Sequence, residues 1–176
     1  MSQLAALSLS IALLGGAATW LFLTTGGLLI WAAFVAWGCF FQAGGDAAAW
    51  RATLICNTLG AAMAWLAASV NLAVHLAETL TLPLWAGLVV FVTAWLVCMA
   101  ANLPIFATIP ASFYGYASTF GVLLHESGRM SLDHLLSPGL DNAAIAVGLS
   151  MAVGATLGYA SARGARLFMA RSPDPA

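Results

Sequence analysis

The stretch Ala47 to Val74 reads AAAWRATLICNTLGAAMAWLAASVNLAV, and Arg51 is its only charged residue. A helix of about 20 apolar residues is enough to cross the roughly 30 Å of hydrocarbon in a bilayer. This run exceeds that length, and Arg51 stands close enough to one end for its long side chain to reach the interface. The stretch therefore reads as a membrane-spanning helix. Leu4 to Leu23, Leu82 to Ala101 and Ala143 to Ala162 meet the same criterion.

The rest of the chain supplies no soluble surface. Of 176 residues, 62% are hydrophobic and 6% are charged, with a mean hydropathy of +0.98, whereas soluble domains carry about 25% charge. Five arginines and six acids make up the whole supply, with no lysine. Lipid is the solvent such a chain calls for. A net charge of -1 lacks the cationic cluster that neutralising phosphates requires, which excludes nucleic acid as a partner. No Arg or Lys precedes the apolar start, so no cleaved signal peptide is expected. Cys39, Cys56 and Cys98 lack the paired spacing of zinc or redox motifs and read as small apolar residues.

Two further apolar stretches are shorter. Leu28 to Phe41 is fenced by Gly26-Gly27 and Gly44-Gly45, and Pro110 to Leu124 is entered through a kinked Pro104 to Pro110 connection. As helices they reach about 20 to 23 Å, less than the hydrocarbon thickness, so each is a short span or a re-entrant half-helix. The expected fold is an all-α, polytopic transmembrane helical bundle of about six membrane segments in a single domain over 1–176. With both short segments crossing, the termini share one side. Arg163, Arg166 and Arg171 then place a short tail, 163–176, and the amino terminus in the cytoplasm. If only one short segment is re-entrant, the amino terminus moves outside.

The same segmentation reads as a 3+3 inverted repeat, with units 1–75 and 82–162. Each unit has a long span, a short Gly- or Pro-bounded helix, and a second long span opened by Asp46 or Asp141. Three segments per unit is an odd number, which inverts the second unit, and paired short segments in such repeats point to a binding site.

The segment NLPIFATIPASFYGYASTF, Asn102 to Phe120, is the richest in polar groups. Pro104 and Pro110 free backbone carbonyls, which at membrane depth need protein or water partners. Asn102, Thr108, Ser112, Tyr114, Tyr116, Ser118 and Thr119 add neutral donors and acceptors, and Asn57 adds an amide within the second span. These residues are the candidate lining of a solute path. The bland alternative is a Pro-broken hairpin whose hydroxyls bond back to their own helix, with Asn57 as interhelical glue. The missing charge argues against a proton relay and favours a small neutral or weakly polar solute, or a cation drawn to the aromatic faces.

Asp46 before an apolar helix reads as an N-cap. His125, Glu126, Asp133 and His134 share one loop, yet their spacing fits no zinc motif, so neither a metal, a cofactor nor an enzyme is expected. The seven tryptophans read as interfacial belt or helix packing. Ala144, Gly148, Ala152, Gly154 and Gly158 form a small-residue stripe that permits close packing, within one subunit or between copies. Six short helices supply little pore wall, so a homo-oligomer is expected.

Phe34 to Asp46, Asn57 to Ala61 and Ile109 to Phe120 resemble the YcdZ-type family of bacterial inner-membrane proteins, which carries a domain of unknown function. That resemblance covers most of the chain and implies an inner-membrane location. The Tyr-Gly-Tyr region and an Asn in a Gly-rich span also resemble half of a urea transporter, without that family's Asn-Pro pairs. The function expected from these readings is a channel or facilitator for a small uncharged solute; the alternative is a non-transporting scaffold or accessory subunit.

Overall fold

The computed structural model describes residues 1–170, and every regular element in them is helical. The long helices are α1 (Gln3–Thr25), α3 (Ala47–Ala73), α5 (Leu82–Ala100) and α8 (Ala143–Ala170). Two shorter ones, α2 (Ile30–Gln42) and α6 (Ile109–His125), lie between them. α4 (Ala77–Leu80) and α7 (Leu132–Leu135) are single turns, and Pro104–Phe106 is a 3-10 turn.

Four helices, Gln3–Thr25, Ala47–Ala73, Leu82–Ala100 and Ala143–Met169, are long and apolar enough to cross a bilayer, which makes the chain a multi-pass membrane protein. The 13 residues of α2 and the 17 of α6 give about 20 and 25 Å of helix, so the expected count of six rests on these two. One boundary differs from expectation by more than two residues. The last helix does not stop at Ala162 but continues to Ala170, so Arg163 and Arg166 stand on a helix and not in a tail. Arg171 lies outside the described residues.

Local sequence explains the helix ends. The Asp46 carboxylate accepts the backbone N–H of Ala49 at 2.8 Å, satisfying one of the donors a helix start leaves free. Gly44 and Gly45, with φ of 120° and 69°, make the reversal between α2 and α3 that a Cβ would strain. Pro83 and Pro110 fall at the first positions of α5 and α6, where a missing N–H costs nothing.

The bundle is built small inside and large outside. Ala6, Ala32, Ala36, Ala64, Ala67 and Ala68 are fully buried, while Leu4, Trp20, Phe91 and Trp95 are more than half exposed. Against hydrocarbon there is no gain in burying a large apolar side chain, whereas small residues let backbones approach and gain dispersion contact. The exposed aromatic and aliphatic belt is the surface lipid would cover.

Cross-helix contacts fix the directions. Leu29 N–H donates to Ser150 Oγ at 2.8 Å and Trp37 Nε1–H to Ser161 Oγ at 3.1 Å, so α2 and α8 run parallel. Gly60 lies on Ser112, and Ala64 packs with Tyr116 and Phe120, so α3 and α6 are also parallel. Trp50 reaches Thr156 while Trp65 donates to the Leu135 carbonyl, which sets α3 antiparallel to α8. Ser10 meets Gly164, Gln3 lies near Met169 and Leu14 near Ala160, making α1 antiparallel to α8. With Thr93 bonded to Tyr116 across the α5–α6 hairpin, the six apolar helices alternate in direction along the chain.

The charges separate with these directions. Arg51, Arg163, Arg166 and Asp46 lie toward the end that holds the start of α1. Glu78, Glu126, Asp133, Asp141, Arg129 and all three histidines lie at the other end.

Candidate functional site

The tightest crossing in the bundle joins α3 and α6. A Cβ built on Gly60 would overlap the Ser112 carbonyl oxygen, and one on Gly115 would overlap the Asn57 carbonyl oxygen. Two matched motifs, Asn57-x-x-Gly60 and Ser112-x-x-Gly115, thus lock reciprocally, each glycine making room for the other helix's polar residue. Nothing but glycine fits at either point, because the obstacle is backbone and cannot rotate away.

This crossing holds two polar side chains without partners. Asn57 is 2% exposed, and neither its Nδ2 nor its Oδ1 has a hydrogen bond; Ser112 is fully buried, and its Oγ has none. Leaving an amide or hydroxyl unpaired away from water costs roughly 1 to 3 kcal/mol in proteins. Together the carboxamide and the hydroxyl offer both donors and acceptors and no charge. Such a set complements a small molecule that itself carries N–H or O–H beside a carbonyl or hydroxyl oxygen.

The other expected lining residues divide. Tyr116 is buried, and its hydroxyl shares a 2.8 Å hydrogen bond with Thr93 of α5; Thr119 donates to the Gly115 carbonyl at 3.0 Å. Ser118 is also buried, but on the flank of α6 that carries Ala111 and Gly115. Tyr114 does not join them: it is 37% exposed and turns outward beside Phe113, because two residues of helix rotate a side chain by about 200°. Asn102 is exposed and donates to the Met99 carbonyl at the end of α5, and Thr108 is a half-buried cap of α6. These two belong to the connection and not to the crossing.

That connection is nonetheless placed deep. Cys56 Sγ meets the Ile105 carbonyl at 3.8 Å, and Cys56 is nine residues into α3, roughly 13 Å from its first residue. The Pro-broken backbone of 101–108 therefore packs beside α3 well in from that helix's end, where its exposed carbonyls need protein or water. A recess lined by Leu54, Thr58, Ala62 and Phe106 adjoins it.

Sequence reasoning missed Thr93, Thr53, Ser150 and Ser161, all nearly or fully buried, because a lone hydroxyl in an apolar helix carries no sign of its partner. The small-residue stripe on α8 splits in two. Gly154 and Gly158 pack on Ala33 and Phe40 of α2, whereas Ala144, Gly148 and Ala152 face an open groove shared with α3. In the loop, Glu126 pairs with Arg129 at 3.0 Å and His134 Nδ1 with Ser131 Oγ at 2.8 Å. Among the described residues no three His, Cys, Asp or Glu side chains converge on one point.

No curated protein and no solved structure matches the chain. The model of a family described as "Protein of unknown function (DUF1097)" matches residues 8–166, in keeping with the resemblance to an uncharacterised inner-membrane family, and the chain belongs to that family.

Proposed function

We propose that the protein is a channel or facilitator for a small, uncharged polar solute, and that the solute is read at the α3–α6 crossing. The observation that carries this reading is the pair Asn57 and Ser112, buried and unpaired in the tightest part of the bundle. A packing role for Asn57 calls for an interhelical hydrogen bond, and it makes none. A solute with its own donors and acceptors supplies what the protein does not, and the reading requires no chemistry on that solute.

The orientation follows from charge. The end bearing Arg51, Arg163 and Arg166 is the cytoplasmic one under the positive-inside rule, which puts both termini inside and the histidine-rich loops outside. The membrane is the bacterial inner membrane. The alternating helices fit two inverted units, α1–α3 and α5–α8.

A second reading, a non-transporting scaffold, draws on Tyr116 and Thr119, whose hydroxyls are satisfied within the protein. Liposomes holding the purified protein, followed by stopped-flow light scattering with a panel of small neutral solutes, decide between them. Solute-selective acceleration that Asn57→Leu abolishes is the expected result; traces matching empty vesicles across the panel would establish the scaffold.

A further inference from the structure

The two short helices align without a gap. Ile30–Gln42 (IWAAFVAWGCFFQ) against Ile109–Gly121 (IPASFYGYASTFG) pairs Ile with Ile, Ala32 with Ala111, Phe34 with Phe113 and Phe41 with Phe120. Burial follows the same register. The buried positions Ala32, Ala33, Ala36, Trp37, Cys39 and Phe40 fall on Ala111, Ser112, Gly115, Tyr116, Ser118 and Thr119, which are buried too.

α3 and α8 repeat in the same way. Cys56, Asn57, Gly60, Ala61 and Ala64 align with Ser150, Met151, Gly154, Ala155 and Gly158, and every one of these ten residues is buried. The contacts obey both registers at once: Gly60 abuts Ser112, and its counterpart Gly154 abuts Ala33, the counterpart of Ser112. The chain thus holds two versions of one helix crossing, α3 on α6 and α8 on α2, running in opposite directions.

Their chemistry has diverged. Where the first has Asn57, Ser112 and Thr119, the second has Met151, Ala33 and Phe40. In the second, the rings of Phe40 and Trp37 fill the space at Gly158, Trp37 bonds Ser161, and Ser150 accepts from Leu29. Among the described residues, the buried side-chain atoms without a partner are on Asn57, Ser69, Asn71, Trp85 and Ser112, all in α3, α5 and α6. None is on α2 or α8. Asn71 stands on the Asn57 face of α3, about 21 Å nearer the outer end, since 14 residues are close to four turns.

We infer that the chain is an inverted duplication with a single solute site: the α3–α6 crossing is the wet, solute-bearing copy, and the α2–α8 crossing is its closed apolar counterpart. Both halves keep the glycine contact that positions the helices, and only one keeps polar groups with nothing to bond. The presence of a solute rests on the facilitator reading, while the difference in wetness stands on its own and is measured separately.

The experiment is thiol accessibility in liposomes with a water-soluble methanethiosulfonate reagent. In a background carrying Cys39→Ala, Cys56→Ala and Cys98→Ala, single substitutions probe matched positions: Asn57→Cys against Met151→Cys, and Ser112→Cys against Ala33→Cys. The α3–α6 member of each pair is expected to react at least tenfold faster. Should Ala33→Cys fail to fold beside Gly154, Ser118→Cys is compared with native Cys39, its counterpart, restored in that background. Equal rates in the matched pairs, faster reaction on the α2–α8 side, or no reaction at Asn57→Cys and Ser112→Cys would overturn the inference. Solute flux of the wild-type protein is scored independently: absent flux with asymmetric labelling removes the transport reading and leaves a wet half, whereas flux with symmetric labelling removes the single-site inference alone.

Discussion

Gly60 on α3 presses on the carbonyl oxygen of Ser112 on α6 so closely that no side chain fits between them. Because the neighbour is backbone, a methyl group there has to push the helices apart along the whole α3–α6 interface. Gly60→Ala is expected to destabilise the protein by about 3 kcal/mol, the upper range for overpacking a tight core. Gly16→Ala on α1, where nothing lies within 4 Å, is the matched control and should change little. Thermal unfolding in detergent measures both, and equal midpoints for the two variants would remove the close crossing.

The Asn57 carboxamide has the opposite sign. Replacing a buried, unpaired amide by an apolar group of similar size removes its desolvation cost, worth about 1 to 3 kcal/mol. Asn57→Leu should therefore raise the unfolding midpoint while abolishing the flux proposed for the wild type, the trade expected of a site kept polar for function. A lowered midpoint would mean that the side chain has a structural partner in the membrane.

Tyr116 is buried like Asn57, but its hydroxyl is already paired with Thr93. Thr93 also donates to the Val89 carbonyl at 2.8 Å, so removing the phenol oxygen leaves no orphan behind. Hydrogen bonds between membrane helices average about 0.6 kcal/mol, and Tyr116→Phe should cost no more than that. Solute flux is expected to match the wild type. A large loss of flux with intact folding would move Tyr116 into the site.

Helix existence was plain in the sequence, and so were most helix lengths, since a long apolar run admits few structures in lipid and Asp46 is a local capping signal; the end of α8 beyond Ala162 was not. Leu82 to Ala101 as an expected span became Leu82–Ala100, and the Pro104 to Pro110 break became a 3-10 turn and a new helix start. Facing directions were not legible. In water, polarity marks the outside of a helix; in lipid it does not, so Tyr114 and Tyr116 look equivalent in sequence and end on different faces. The useful signal was size: Gly60, Gly115 and Gly154 mark where backbones meet, but only the packing shows that Gly60 and Gly154 serve equivalent crossings. Partners distant in sequence, such as Trp37 and Ser161, have no local trace at all.

Ser150 offers a test of how α2 is docked. Its hydroxyl accepts the Leu29 N–H, the first free donor before α2, and itself donates to the Ala146 carbonyl at 2.6 Å. Ser150→Ala leaves that N–H without a partner beside a fully buried position, at a cost of about 1 to 3 kcal/mol. Hydrogen exchange should show the loss at Leu29 and the first turn of α2, with α3 and α6 unaffected. Uniform loss of protection across the bundle would mean instead that α2 does not open separately.

Arg129 governs the outer loop by a different balance. Its guanidinium pairs with Glu126 at 3.0 Å and Asp141 at 3.7 Å and donates to the Leu140 carbonyl at 2.8 Å, tying both ends of the connection that carries α7. Asp141 is 72% exposed at its side chain, so that pair is weak and salt-screened; the carbonyl bond and the nearer Glu126 carry most of the restraint. Arg129→Gln is expected to cost about 1 kcal/mol or less in global stability, yet to raise hydrogen exchange across 126–142. High salt should reproduce part of the effect in the wild type and add little in the variant. If salt loosened both proteins equally, the restraint would have to come from the packing of Leu135 in the core and not from the arginine.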